Sequence, residues 1–161
     1  MKQMESRVVT ISDNTYYIRP LPAFKAANMS GELAALALPI LTGLTPLLGG
    51  ENSDKSLMDI DLEKAAPSVQ NAFSGISGDK LETLLKHLLL SGKNISVETP
   101  DSEKAKLLTE DLANEIFCEE VQDMFLLAFE VIRTNYNGFF KKLADRFGPA
   151  IQGLTQTAAA M

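Results

Sequence analysis

The chain has one cysteine, Cys118, one histidine, His87, and no tryptophan. A single sulfur excludes a disulfide scaffold, and with one imidazole beside it a Cys/His zinc knuckle is excluded as well. Lys and Arg number 15 against 21 Asp and Glu, a net charge of −6, which argues against a body built to neutralise nucleic-acid phosphates. Met1 to Thr10 carries no apolar run, so no secretory signal is expected there. What is abundant is apolar side chain, 45% of 161 residues. At this length roughly 70% of the unfolded surface is buried on folding, enough for a core without staples. We expect one domain over residues 1–148 and a flexible tail over 149–161, where little remains to bury.

Residues 7–19 hold two β-branched and aromatic runs around Asp13-Asn14, a pair that tolerates positive φ, and predict a β-hairpin. Two strands alone are marginal in water. The hairpin must lie on helices or gain a strand, for which Asn94 to Glu98 is the candidate. Helices are expected from about residue 23 onward. From Leu33 to Gly50 there are 18 residues without a charge, about 27 Å as a helix and near the thickness of a bilayer core. Pro39, Pro46 and Gly43, with no Lys/Arg flank, argue instead for a broken helix in the core or against another subunit. Gly49 to Ser56 reads as a polar loop, and Pro67 as a fresh helix start after Leu57.

Leu81, Leu84, Leu85, Leu88 and Leu89 repeat at the spacing of one helical stripe, with Asp79 as the expected cap and Ser91-Gly92 as the stop. Thr99 to Lys106 is polar and reads as a loop, and Thr109 then opens a short helix carrying Leu112, Ile116 and Phe117. A longer helix is expected from about Glu119 to Thr134. Its middle, Met124 to Ile132, is apolar nearly all round, which predicts burial on more than one side. Asn135 to Gly138 breaks the pattern, and Phe139, Phe140, Leu143 and Phe147 resume it on a basic helix. The fold class is therefore mainly α (α+β): an N-terminal hairpin, with room for a third short strand, on a bundle of about five to six helices.

No catalytic signature is present. His87 falls beside the leucine stripe with no triad partner, so it reads as a surface residue and Cys118 as an unpaired thiol. Glu115, Glu119 and Asp123 stand at i, i+4 and i+8, but without histidines they read as a solvated acidic face rather than a metal centre. Neither Gly-x-Gly-x-x-Gly nor a P-loop occurs, and no cofactor is expected. Charge is polarised: Glu98 to Glu130 holds ten acidic and two basic residues, Arg133 to Arg146 one acidic and four basic.

Two segments carry a resemblance. Tyr16-Tyr17-Ile18-Arg19-Pro20-Leu21-Pro22 leaves the hairpin toward a charge-poor helical stretch, and Val131-Ile132-Arg133-Thr134-Asn135-Tyr136-Asn137-Gly138-Phe139-Phe140 lies near the C-terminus. This arrangement resembles the tail assembly chaperones of long-tailed bacteriophages and prophages, over roughly Arg7 to Phe147. The resemblance implies a non-enzymatic protein of the host cytoplasm, absent from the mature virion. Such a protein binds and solubilises the tape measure protein and helps bring tail tube protein to it. It also implies, in many members, a longer form made by ribosomal frameshifting, for which Phe140-Lys141-Lys142 is the place to inspect the codons.

The residues agree with that reading in their surplus of apolar surface. Leu36, Leu41, Leu44, Leu48, Phe125, Phe129, Tyr136, Phe139 and Phe140 are the candidate partner-binding residues, for a client helix or for self-association in which the acidic Glu110 to Asp123 face meets the basic Arg133 to Arg146 segment of a neighbour. Nucleic acid and membrane are not expected partners. The competing readings are a small structural phage protein such as a head-tail connector component, and, behind it, a single-span membrane protein of the lysis type.

Overall fold

The structure is a computed structural model in which residues 6–35 and 62–136 are described. The uncharged segment beyond residue 35, the 49–56 loop, the basic segment 139–147 and the tail 149–161 lie outside the described residues. So do the candidates Leu36, Leu41, Leu44, Leu48, Phe139 and Phe140.

Strands β1 (Arg7–Ile11) and β2 (Asn14–Ile18) form the expected antiparallel hairpin, with Val9 opposite Tyr16 and Ile11 opposite Asn14. The turn is Ser12-Asp13, one residue earlier than Asp13-Asn14. Ser12 takes the positive φ, 54°, at the position where a type II′ turn requires it. Its hydroxyl donates to Asp123 Oδ2 at 2.7 Å, so a partner far along the chain holds the loop that local propensity places one step later. β3 (Ile95–Glu98) pairs with β2 as expected, and a two-residue β4 (Lys106–Leu107), in a stretch that reads as loop, completes the antiparallel order β1-β2-β3-β4. Alternation does the rest: Ile11, Tyr16, Ile18, Ile95 and Val97 are buried on one face, whereas Val8 and Thr10 stay exposed on the other.

Five helices accompany the sheet among the described residues: α1 (Ala23–Ala35), α2 (Leu62–Ser74), α3 (Gly78–Lys86), α4 (Glu110–Ile116) and α5, residues 121–136. The fold is mainly α within an α+β class. In α2, Pro67 is an interior residue and not a helix start. Ala65, Val69, Ala72 and Phe73 are buried at helical spacing while Pro67 is exposed, so packing of the inner face outweighs the one backbone bond that proline forfeits. In α3 the cap position belongs to Ser77 rather than Asp79, which sits in the first turn where its charge suits the helix dipole. The leucine stripe is buried at Leu84, Leu85, Leu88 and Leu89. Beyond Lys86 the helix widens into a π turn, His87–Ser91, which ends at Gly92. Glycine is needed there for space: a Cβ would overlap Leu21 Cδ2 and lie 2.9 Å from Asn94 Oδ1.

Helix α5 is the central element. Leu127, Ala128, Phe129, Val131 and Ile132 are all buried, in keeping with an apolar run that has no polar face. Its helical conformation continues through Asn135 and Tyr136, where the sequence pattern breaks. Asn135 Oδ1 accepts from the Leu21 N–H at 2.7 Å, and its Nδ2 donates to the Val131 carbonyl at 2.9 Å. The Tyr136 hydroxyl donates to the Ala26 carbonyl at 2.9 Å. The two polar side chains that look like an interruption are clasps for the chain leaving the hairpin at Pro20. The two segments that carry the family resemblance are thus joined directly.

Candidate functional site

The groups that catalysis would recruit are dispersed. His87 is half-buried, with Nδ1 2.8 Å from Glu32 Oε2, a tie between the π turn and α1. Cys118 is exposed in the α4–α5 connection. Glu119 adopts a positive φ of 68° there, which interrupts the helix that would have aligned Glu115, Glu119 and Asp123. Asp123 is engaged by Ser12. Among the described residues no group of three or more His, Cys, Asp or Glu is placed to hold a metal ion, and no helix is long and apolar enough to cross a membrane.

The buried polar groups serve the fold. Glu130, fully buried, receives Arg133 Nε at 2.8 Å, with a further short contact from Arg133 Nη2, and lies 3.2 Å from Arg7 Nε. This ties β1 to α5, and Arg133 also lies over the Phe129 ring, 5.3 Å from its centroid. Burial pushes the phenols of Tyr16 and Tyr136 up to about 12, with the charge of Glu32 adding to the effect at Tyr136. Neither is poised to ionise near neutrality.

Among the described residues, one feature open to a partner is a groove of about 300 Å³ between α3, α4 and the start of α5. Leu81 and Leu85 on α3 and Leu89 in the π turn form one wall, Ala113 and Asn114 lie on α4, and Val121, Met124 and Phe125 complete it from α5. Each wall has a local cause. Leu81 and Leu90 sit at the margin of the buried leucine stripe and remain half-exposed. The Thr109 hydroxyl caps α4 by accepting from the Leu112 N–H at 3.3 Å. Phe125 is held by stacking on Phe73, with ring centroids 5.5 Å apart. Glu82 and Glu110 stand on the rim with Lys86 between them, its Nζ 3.1 Å and 3.4 Å from their carboxylates, and both carboxylates hold the ammonium in its charged form.

Of the candidate partner-binding residues within the described parts, Phe125 lines this groove, whereas Phe129 and Tyr136 are buried inside the chain's own core. Sequence reasoning overlooked Leu81, Val121 and Met124. Val121 is 51% exposed although it is apolar, and the signal for it was its position on the outer side of a helix whose inner side was already full. A second depression, of about 350 Å³, is lined by Glu32, Asp79, Lys80 and Thr83 together with Ala35 and Leu84, of which Leu84 belongs to the core.

No curated protein and no solved structure matches the chain. A family model, described as phage tail assembly chaperone protein, TAC, matches residues 12–148. That span contains β2, the five described helices and both of the segments joined through Leu21 and Asn135. The match covers well over half of the chain, and the chain belongs to the phage tail assembly chaperone family.

Proposed function

We propose that this protein is a non-enzymatic chaperone that binds the tape measure protein, keeps it in solution and helps recruit tail tube subunits to it while the tail is being built. The observation that carries the reading is the half-exposed apolar groove between α3, α4 and α5 in a member of the tail assembly chaperone family. An elongated client rich in apolar stretches aggregates unless those stretches are covered, and a preformed apolar surface covers them at little entropic cost.

The protein acts in the host cytoplasm and leaves before the virion is complete. Copies of the chain also associate with one another, the acidic Glu110 to Asp123 stretch facing the basic residues Lys141, Lys142 and Arg146 of a neighbour, since Arg133, the first basic residue of that segment, is buried against Glu130. Residues 1–148 work as one unit in this, with 149–161 as an appendage.

Co-expression tests the central claim. The tape measure protein should move from the insoluble to the soluble fraction when this chain is present and should co-purify with it. A tape measure protein that is equally soluble without the chain would overturn the reading. Mass spectrometry of purified particles should find the tape measure and tube proteins without this one.

A further inference from the structure

The groove has a shape and a charge that specify its occupant. Its longest wall runs from Gly78 through Leu81 and Leu85 on α3 to Leu89 in the π turn that follows, steps of three and four residues and roughly three helical turns. A trough three turns long matches the i, i+3/i+4, i+7 anchors of a helix laid in a groove. It does not suit a small polar ligand. The two buried side-chain polar atoms left without a hydrogen bond among the described residues, Tyr16 Oη and Asn94 Oδ1, belong to residues outside its lining.

The rim is acidic. Glu82 and Glu110 share the single lysine, Lys86, and leave one negative charge in excess on the lining itself. Of the six acidic residues between Glu110 and Asp123, Glu110 lines the groove, and no basic residue occurs in that stretch.

We propose that the groove between α3, α4 and the start of α5 seats a basic amphipathic helix, one whose apolar stripe fills the trough while flanking Lys or Arg side chains meet Glu82 and Glu110. This deepens the chaperone reading and rests on it for the source of the helix, the client rather than a second copy of this chain. Binding removes Leu81, Val121, Met124 and Phe125 from water, and the rim charges set the sign of the partner that is admitted.

The probe is a synthetic 18-residue peptide with Leu at i, i+3, i+4 and i+7 and Lys elsewhere, compared with its counterpart carrying Glu in place of Lys; an amphipathic helix of about that length spans the trough. Fluorescence anisotropy with the full chain should show binding of the Lys peptide, weakened by salt, and at least about tenfold weaker binding of the Glu peptide. Val121→Lys, at an already exposed position, should weaken the Lys peptide roughly tenfold. The pair E82Q/E110Q should weaken it about threefold and flatten the salt dependence. Thr10→Lys, on the open sheet face, should change nothing, and circular dichroism melting confirms that each variant is folded.

Equal affinity for the two peptides, or indifference to Val121→Lys in a folded variant, overturns the proposal. The same variant is then tested for holding the tape measure protein in solution. Loss of that ability supports the groove as the client's seat. Full retention overturns the groove assignment while the chaperone reading stands, and a wild-type chain that never solubilises the client brings down the chaperone reading alone. A dimer that forms through the groove and disappears in Val121→Lys overturns the choice of client over second copy.

Discussion

Glu130 and Arg133, one turn apart on α5, form an ion pair inside the protein, with 0% and 5% of their side chains exposed. Arg7 on β1 reaches the same carboxylate from the edge, its side chain 25% exposed. Burial lowers the Arg7 pKa and Glu130 raises it, so the carboxylate is what keeps this guanidinium compatible with its site.

Glu130→Gln removes the carboxylate that both guanidinium groups address. Because breaking one side of a buried pair costs far more than the pair itself contributes, the unfolding free energy should fall by about 3–5 kcal/mol, read by urea denaturation. A loss under about 1 kcal/mol would place the cluster in effectively aqueous surroundings.

Alkali should unfold the protein between pH 10 and about 12. Tyr16 and Tyr136 have pKa values raised on folding, so their contribution is complete below the unfolded value near 10 and is lost as pH climbs through the folded value. Tyrosinate absorption should rise together with loss of helical circular dichroism. In Y16F/Y136F the unfolding midpoint should move to higher pH, even though the Tyr136 bond to Ala26 is lost.

Gly92→Ala places a methyl group against Leu21 and Asn94 at the junction of the π turn, β3 and the chain entering α1. Leu21 and Asn94 are both buried, so neither yields freely, and overpacking of this kind costs about 1–3 kcal/mol. Thermal melting checks it; an unchanged midpoint would mean that Leu21 turns aside without penalty.

His87→Ala and Cys118→Ser should both support tail assembly at wild-type level in complementation of a strain lacking the gene. The His87 bond to Glu32 is half-exposed on both sides and contributes at most about 1 kcal/mol. Collapse of assembly in either variant, with the protein still folded, would point to chemistry that the structure does not assemble.

Much of the architecture was written in short-range pattern. Alternation in residues 7–19 specified a hairpin, the leucines from Leu81 to Leu89 announced a buried stripe, Thr109 marked a helix start, and Asn94 to Glu98 read as a strand before any partner was known. These features are legible because the period of a helix or strand repeats within a few residues, whatever the rest of the chain does.

Other features depended on neighbours distant in sequence. Ser12 took the turn because Asp123 was there to accept its hydroxyl, and Pro67 stayed inside α2 because the face opposite it was packed. Asn135 and Tyr136, which interrupt an apolar pattern, turned out to be the bonds that hold the hairpin exit. The groove lay furthest from local reading. An apolar side chain has the same sequence signature whether it fills a core or a surface trough, and only the packing of α3, α4 and α5 decided that Phe129 was enclosed while Phe125, Met124 and Val121 faced outward.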